Sequence, residues 1–532
     1  MAGIETVREE AKPLLDRVAD ALSNIRAKDV ALITGASIFA YAVYARQRDK
    51  PRKCVMCEVD PIPLVPKVVS DLIIKVDDFF FGFNQLRAYA NHTHEQLDWI
   101  HRCNRICPGT SWYIDLPPPV PPIVFTADPK CVEHILSTNF KNYVKGELYH
   151  HTLGDLFGDG IFNADGPNWK AQRKISSFAF TQNAFRDFMY EAMKHHVHDM
   201  VSVLQNCADN NQEVCMFQIF NRFTLDSIGE IGFGQNLGTL QLYPAPHAFL
   251  GAFDRAQFTT MERFFDPTWT LWRLFRLGRE GEMIGDIEIL RAQALAVVRD
   301  QKDKFARGET QGGDFLSLFM QRALEEGTEI DDQFLVDVCL NFIIAGRDTT
   351  ACALSWTFFE LSQHPDVLAK CRAEIDEVLN GDELSFDDIN NFEYLRAVQN
   401  ETLRLHPSVP RDSRMCAQDD VLPDGTIVKA GTNMGYSAYG MGRDPKLWGP
   451  DCELFRPERW EQVDQSRKDF QFVFPVRILT LFFILKIFPT KKTKKYCVII
   501  IYQKMKTIGV PFRPADVLRP PDGLHGNDRC NG

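Results

Sequence analysis

The segment between Asp331 and Pro365 constrains the fold more than any other part of the chain. It is long, mainly apolar and free of internal proline, which predicts one long α-helix. Asp331 or Asp332 can cap its first turn, and a proline such as Pro365 does not continue a helix. A helix that is apolar on most of its faces has to be buried. The chain is therefore predicted to be mainly α-helical.

Four residues interrupt the apolar character of this helix near its middle: Ala345, Gly346, Asp348 and Thr349. The two small residues make the helix thin enough for a flat ligand to approach its backbone. A carboxylic acid beside an alcohol can pass protons from water into a dry pocket, and a mid-helix threonine bonds back to the carbonyl four residues earlier. A buried helix whose polar groups have partners but no function fits the same pattern.

Two further motifs predict an ion lock. Glu401 and Arg404 form an E-x-x-R sequence, and residues three apart lie on one face of a helix, where they can pair. The sequence Phe455-Arg-Pro-Glu-Arg-Trp460 supplies Arg459 as a second cation. Such a lock adds specificity more surely than stability. By itself an E-x-x-R sequence is weak evidence, because it occurs by chance on many helices.

Trp169 and Arg173 lie four residues apart, which places them on one face of a predicted helix. An indole and a guanidinium suit a planar ligand that carries negative charge. Taken alone, the same pair is equally typical of an exposed helix surface.

The composition is that of a globular protein and argues against nucleic acid as a partner. Of 532 residues, 45% are hydrophobic and 25% charged, and the net charge is −11. An acidic chain without a basic arm is not attracted to phosphate. The 40 Phe residues fill a core or line an apolar ligand pocket. Cys54 and Cys57 form a lone C-x-x-C pair, so no structural metal site is predicted.

Changes in composition divide the chain into five predicted parts. Residues 1–29 are polar, whereas the uncharged residues 30–45 favour a membrane anchor over a buried or surface helix. The basic and proline-rich residues 46–66 form a linker, and their charge places the rest of the protein in the cytoplasm. Residues 67–475 form the main domain, which is mainly helical with small β-sheets. Residues 476–532 change abruptly in composition and are predicted to be aberrant and disordered.

Taken in order, W-x-x-x-R, A-G-x-D-T-T, E-x-x-R and F-R-P-E-R resemble the cytochrome P450 family of haem-thiolate monooxygenases over residues 60–475. Gly158 to Asp165 and the A-G-R-D-T-T version of the helix are similar to the long-chain branch of fatty-acid and alkane hydroxylases. The resemblance implies an enzyme of lipid metabolism that binds haem b and takes electrons from NADPH through a reductase. Such an enzyme splits dioxygen and inserts one oxygen atom into a C–H bond of an apolar substrate.

The resemblance also implies a role for each motif residue. Asp348 and Thr349 would be catalytic, the acid by relaying protons and the alcohol by hydrogen-bonding dioxygen. Ala345 and Gly346 would let the helix cross the face of the haem. The family relation further implies a single anchor in the endoplasmic reticulum membrane. The remaining implied roles are propionate binding by Trp169, Arg173 and Arg414, and a structural ion lock of Glu401, Arg404 and Arg459.

The sequence departs from the family where the haem ligand is expected. The family carries F-x-x-G-x-R-x-C-x-G shortly after F-R-P-E-R, and its cysteine thiolate binds the iron. Here the resemblance stops after Phe472-Val-Phe-Pro475. Cys497 lacks the glycines and the arginine, whereas Cys530 has Gly526 and Gly532 at the family's spacing but has its arginine out of place, no aromatic residue and no predicted helix after it. The change of composition after Val476 indicates an intron read through or a shifted reading frame. The alternative function is therefore a haem-deficient, inactive remnant whose fold binds a lipid or a partner.

Overall fold

The computed structural model describes His92 and residues 95–474, apart from gaps at 108, 110, 115–121, 182, 265, 267, 310–313, 328–330, 381–386 and 467–469. The predicted polar segment, anchor, linker and tail lie outside the described residues. Within the described part, no helix has the length and apolar character needed to cross a membrane. The chain divides into two compact units, residues 1–93 with 113–123 and residues 94–112 with 124–532. All helices named below belong to the second unit.

The described domain is built mainly from α-helices, as the sequence predicts, with short strands between them. In chain order the helices are α1 (Gln96–Ile106), α2 (Pro129–Glu133), α3 (Gly146–Phe157), α4 (Gly166–Thr181), α5 (Asn183–Asp209), α6 (Met216–Phe233), α7 (Ala248–Glu262), α8 (Trp269–Leu274), α9 (Gly278–Ala306), α10 (Phe315–Glu325), α11 (Asp332–Gln363), α12 (Pro365–Leu379), α13 (Glu393–Leu405), α14 (Ala438–Gly442), α15 (Pro445–Trp448) and α16 (Phe470–Val473). The strands are β1 (Trp112–Ile114), β2 (Ile123–Thr126), β3 (Tyr143–Val144), β4 (Asp412–Cys416), β5 (Asp420–Val421), β6 (Ile427–Val428) and β7 (Asn433–Tyr436).

Helix α11 is the long helix predicted from the sequence, and it lies in the core of the domain. Asp331 caps it, because its side chain accepts a hydrogen bond from the backbone N–H of Phe334 at 2.6 Å. The helix ends at Gln363, two residues before Pro365 begins α12. Its most extensive packing is against α6, and α9 and α13 also pack against it. Buried residues on α11 therefore meet other helices on several sides, which explains why the segment is apolar almost throughout.

Strand β4 lies between β7 and β3 and pairs with both in the antiparallel direction. Asp412 of β4 lies opposite Tyr436 of β7, and Cys416 of β4 lies opposite Tyr143 of β3. Strands β5 and β6 form an antiparallel hairpin on either side of residues 423–425, with Asp420 opposite Val428. Gly425 has φ +83° in the turn, a conformation that glycine adopts without a steric cost.

Asp420 ties this hairpin to the segment that precedes α3. Its Oδ2 lies 2.8 Å from Nε2 of His134, 2.7 Å from the hydroxyl of Tyr143 and 3.0 Å from Nδ2 of Asn139. Burial raises the pKa of the Asp420 carboxyl, but these hydrogen bonds outweigh it and lower the pKa to about 2. The ionised form is therefore the one that the fold stabilises.

Acid should remove this stabilisation. Because the pKa of Asp420 is lower in the folded than in the unfolded state, its contribution is present above about pH 4 and is lost as the pH falls towards 2. Asp420→Asn should therefore lower the urea midpoint at pH 7 and make the midpoint depend less on pH between 4 and 2. Asp209→Asn, at an exposed position at the end of α5, is the control. An equal acid dependence in all three proteins would contradict the prediction.

Candidate functional site

Asp348 lies at the middle of α11 within a small network of charged and polar side chains. Its Oδ2 accepts a hydrogen bond of 2.5 Å from Nε2 of Gln257 on α7, and its Oδ1 lies 3.3 Å from Nη1 of Arg347. Arg347 is itself buried and pairs with Asp254 at 2.6 Å. Burial raises the pKa of the Asp348 carboxyl, and the smaller opposing effects of Arg347 and Gln257 leave it raised. This carboxyl can therefore keep its proton to a higher pH than an exposed aspartate.

Thr349 bonds back along the helix, as predicted. Its hydroxyl donates to the carbonyl oxygen of Ala345 at 2.6 Å, and its own carbonyl accepts from the hydroxyl of Ser408 at 2.8 Å. Ser408 lies between α13 and β4. The contact therefore holds the Asp348 and Thr349 pair against the chain segment that leads to Arg414 in β4.

Gly346 faces α6, a role that the sequence analysis did not consider. A Cβ atom at this position would lie 2.6 Å from Cδ1 and 3.2 Å from Cβ of Ile228. The missing side chain thus allows α6 to pack closely against α11. Contact between Gly346 and a haem stays a prediction, as it does for Ala345.

Gly346→Ala should destabilise the domain through overpacking. The new methyl group overlaps Ile228, which costs about 1–3 kcal/mol in a packed core, whereas the higher helix propensity of alanine returns roughly 1 kcal/mol. In an Ile228→Ala background the same change should be neutral or stabilising, because the space is open. Urea unfolding of the two single variants and the double variant measures this coupling. Equal effects in both backgrounds would show that Ile228 does not fill the space.

Lys145 connects two of the predicted propionate residues. Its Nζ lies 6.0 Å from the ring centroid of Trp169 and donates to the carbonyl oxygens of Ile161 and Ala164. Burial, and then the positive charge of Arg414, lower the pKa of Lys145 to about 8. One cation, Lys145, therefore lies beside the indole of Trp169, and the charge of Arg414 acts on that cation.

The two predicted propionate-binding arginines, Arg414 and Arg173, differ in their surroundings. Arg414 is largely buried and donates to Asp412 Oδ1 at 2.8 Å. Arg173 is exposed one turn beyond Trp169 on α4. The charge and aromatic character of this region fit the acidic edge of a planar ligand. Lys145 was not identified from the sequence, because a single lysine before a helix carries no motif.

Glu401 is the centre of a buried ion network that contains the three predicted lock residues. Its carboxylate accepts two bonds of 2.8 Å from Arg404 and one of 2.9 Å from Arg459. It also accepts from Nε1 of Trp460 at 3.0 Å and from the backbone N–H of Arg456 at 2.8 Å. Glu401 has no exposed surface, and Arg404 and Arg459 are 1% and 3% exposed. The network joins α13 to the segment around residues 456–460.

The segment Gly158 to Asp165, which suggested the long-chain branch, is held against α11 by two side chains. Asp337 accepts a hydrogen bond of 2.9 Å from the backbone N–H of Asp159. Asn341 accepts a bond of 2.9 Å from the backbone N–H of Phe162. The segment is therefore fixed to the same helix as Asp348 and Thr349, about two to three turns nearer its start.

Seven of the described cysteines have thiols whose pKa is raised by burial. Cys352 is close to Thr349 but belongs to the same helix, and burial raises the pKa of its thiol to about 11. A ligand cysteine is a thiolate in a site that lowers its pKa. Every described cysteine with a resolved shift has a raised pKa, and burial is the largest cause in each: Cys131, Cys207, Cys339, Cys352, Cys371, Cys416 and Cys452. None of these seven cysteines therefore has the lowered pKa of a ligand thiolate, and propionate binding by Trp169, Arg173 and Arg414 stays a prediction.

Known proteins match this chain over most of its described part. A family model described as cytochrome P450 matches residues 79–473. Cytochrome P450 704B1 of Arabidopsis thaliana is 34% identical over 67% of this chain and 76% of the relative. Cytochrome P450 CYP94D109 of Paris polyphylla is 34% identical over 76% of this chain and 81% of the relative. Cytochrome P450 94C1 of Arabidopsis thaliana is 38% identical over 63% of this chain and 68% of the relative.

A solved structure also shares the fold. The crystal structure of the cytochrome P450DA heme domain aligns with a TM-score of 0.61 and 23% identity, over 74% of this chain and 84% of that chain. The predicted fold class is thereby confirmed for the described domain. The family match ends at residue 473, next to the point at which the motif resemblance stops.

Proposed function

Because this chain belongs to the cytochrome P450 family of monooxygenases, we propose that its helical domain serves to insert one oxygen atom into a C–H bond of a long apolar chain. The observation that carries the proposal is the Asp348 and Thr349 pair at the middle of α11, with a carboxyl whose pKa is raised. Haem supplies the activation of dioxygen when it is bound. The protein itself has to deliver protons and exclude water.

Asp348 is suited to proton delivery by its surroundings. Its raised pKa favours the protonated carboxyl, which can donate a proton where an ionised carboxylate cannot. Gln257 orients the carboxyl through its hydrogen bond to Oδ2. Arg347 lies closer to Asp254, at 2.6 Å, than to Asp348, at 3.3 Å. Thr349 adds a hydroxyl that can turn from the Ala345 carbonyl towards a ligand.

The substrate class rests on the resemblance to fatty-acid and alkane hydroxylases. The chain has 40 Phe residues, and a pocket for an aliphatic chain is apolar. In a haem-loaded protein, saturated fatty acids and alkanes of increasing length should shift the haem absorption, whereas short polar alcohols should not. Equal spectral responses to both sets would argue against an apolar substrate.

The second candidate is a haem-deficient protein. The observation that favours it is the absence of the haem-ligand loop after Phe472. We expect the reduced 532-residue chain to show no thiolate Soret band with carbon monoxide. A variant in which F-x-x-G-x-R-x-C-x-G follows residue 471 should show the band. A thiolate band from the unaltered chain would mean that an existing cysteine binds the iron. A transcript that spans codon 476 and encodes the same tail would reject a gene-model error.

Membrane attachment and a reductase partner belong to the same proposal. The uncharged run at residues 30–45 would anchor the protein in the endoplasmic reticulum membrane, with the domain on the cytoplasmic side and open to an NADPH-dependent reductase. Apolar side chains at and after α8 support contact with a membrane surface. Leu271, Trp272, Leu274 and Phe275 are 54%, 47%, 72% and 63% exposed. Flotation with phospholipid vesicles, before and after removal of residues 1–45, would separate binding by the anchor from binding by the apolar surface at α8.

A further inference from the structure

Two histidines and a glutamate converge where α5 meets α6. His195 and His196 are consecutive residues of α5, and Glu230 is near the end of α6. Oε2 of Glu230 lies 2.8 Å from Nε2 of His196 and 3.7 Å from Nδ1 of His195. One ligand atom from each residue lies within 4.8 Å of the other two. Spacings of this size are those of atoms that share one ion.

The buried atoms of this cluster have unmet bonding capacity. The side chain of His196 is 1% exposed. Within the described part of the chain, Nδ1 and Nε2 of His196 and Oε2 of Glu230 have no hydrogen-bond partner. His196 and Glu230 are therefore close without the alignment of a hydrogen bond. Buried polar atoms in native proteins nearly always have a partner, and a cation between these atoms would supply one.

A second carboxylate lies behind His195. Nε2 of His195 lies 3.7 Å from Oδ2 of Asp199, which leaves Nδ1 facing Glu230. A carboxylate behind a ligand histidine is the usual second partner in metal sites.

We propose that His195 Nδ1, His196 Nε2 and Glu230 Oε2 bind one divalent transition-metal ion of the Zn²⁺ class. Two imidazoles and one carboxylate form a common three-residue ligand set for zinc, with a fourth position open to water. Imidazole ligands disfavour Mg²⁺ and Ca²⁺, which prefer sites made of oxygen atoms.

The metal would join α5 to α6 close to the contact between α6 and α11. Glu230 is two residues from Ile228, the side chain that occupies the space above Gly346. An ion that binds the folded state and not the unfolded state raises stability by mass action. The site shares no residue with the proposed monooxygenase function, so either proposal can fail without the other.

Zinc binding to the full chain tests the proposal. After treatment with a chelator, the protein is titrated with Zn²⁺ in competition with a chromogenic zinc indicator. We expect one ion per chain, with affinity reduced about 10- to 100-fold or more in His195→Ala, His196→Ala and Glu230→Gln. His198→Ala is the matched control, because His198 lies on the same helix with its side chain 82% exposed. It should bind zinc as the unaltered chain does.

A second measurement covers the case in which His196→Ala fails to fold. The His195 side chain is 53% exposed, so His195→Ala should keep the unaltered circular dichroism and still bind zinc weakly. X-ray absorption of the bound zinc should show two imidazoles and oxygen at about 2.0–2.2 Å. The proposal is overturned if the chain binds no zinc, if all variants bind as the control does, or if sulfur from any of the 14 cysteines surrounds the ion.

Discussion

Replacing Glu401 with glutamine is expected to lower the free energy of unfolding by about 3 to 5 kcal/mol. The change keeps the size of the side chain but removes the negative charge that Arg404 and Arg459 share. Arg404 would then remain buried without its carboxylate partner, and Arg459 would keep only Asp451 at 3.2 Å. An uncompensated buried cation is far more costly than the loss of an exposed ion pair. Urea unfolding followed by circular dichroism measures the effect.

Glu377→Gln is the matched control for this experiment. Glu377 is exposed on the neighbouring helix α12, where a surface substitution changes stability by less than about 0.5 kcal/mol. If Glu401→Gln had a similarly small effect, the network would contribute little to the stability of the domain, and a role in fold specificity would have to be considered instead.

In a haem-loaded preparation of the variant in which F-x-x-G-x-R-x-C-x-G follows residue 471, the further change Asp348→Asn is expected to reduce product formation by about 10²- to 10⁴-fold. Asparagine can still accept the bond from Gln257 but has no carboxyl proton to deliver. Because the pKa of Asp348 is raised in the folded protein, the donor form is present at low pH and is lost as the pH rises through that value. The residual activity of the variant should therefore lack the decline with rising pH that the unaltered protein shows. Product is measured by chromatography at several pH values.

Asp366→Asn serves as the control for this prediction. Asp366 is exposed in the first turn of α12, and its replacement should leave both the rate and the pH profile unchanged. A large loss in Asp348→Asn with an unchanged pH profile would assign Asp348 a positioning role in place of proton delivery.

The parts of the site that the sequence predicted are those carried by local patterns. The cap at Asp331, the back-bonded Thr349 and the pairing of Glu401 with Arg404 all depend on residues at most four positions apart. Such contacts follow from helix geometry, because side chains three or four residues apart share a face.

Other contacts could not be predicted, since their partners are distant in the chain. Gln257 meets Asp348 across 91 positions. Lys145 follows β3 and comes under the charge of Arg414 in β4 only when these two strands pair. Gln257 and Lys145 belong to no sequence motif, so their roles depend on how the helices and strands pack.

By itself, the sequence determined the helical class, the length and cap of α11, and the chemical types at its centre, because these follow from hydrophobic period and short-range bonding. Tertiary structure alone decided that Gly346 faces Ile228 and that His195, His196 and Glu230 meet. A helix face has no fixed neighbour until two helices pack, and consecutive histidines on one helix have no shared partner until a second helix supplies the carboxylate.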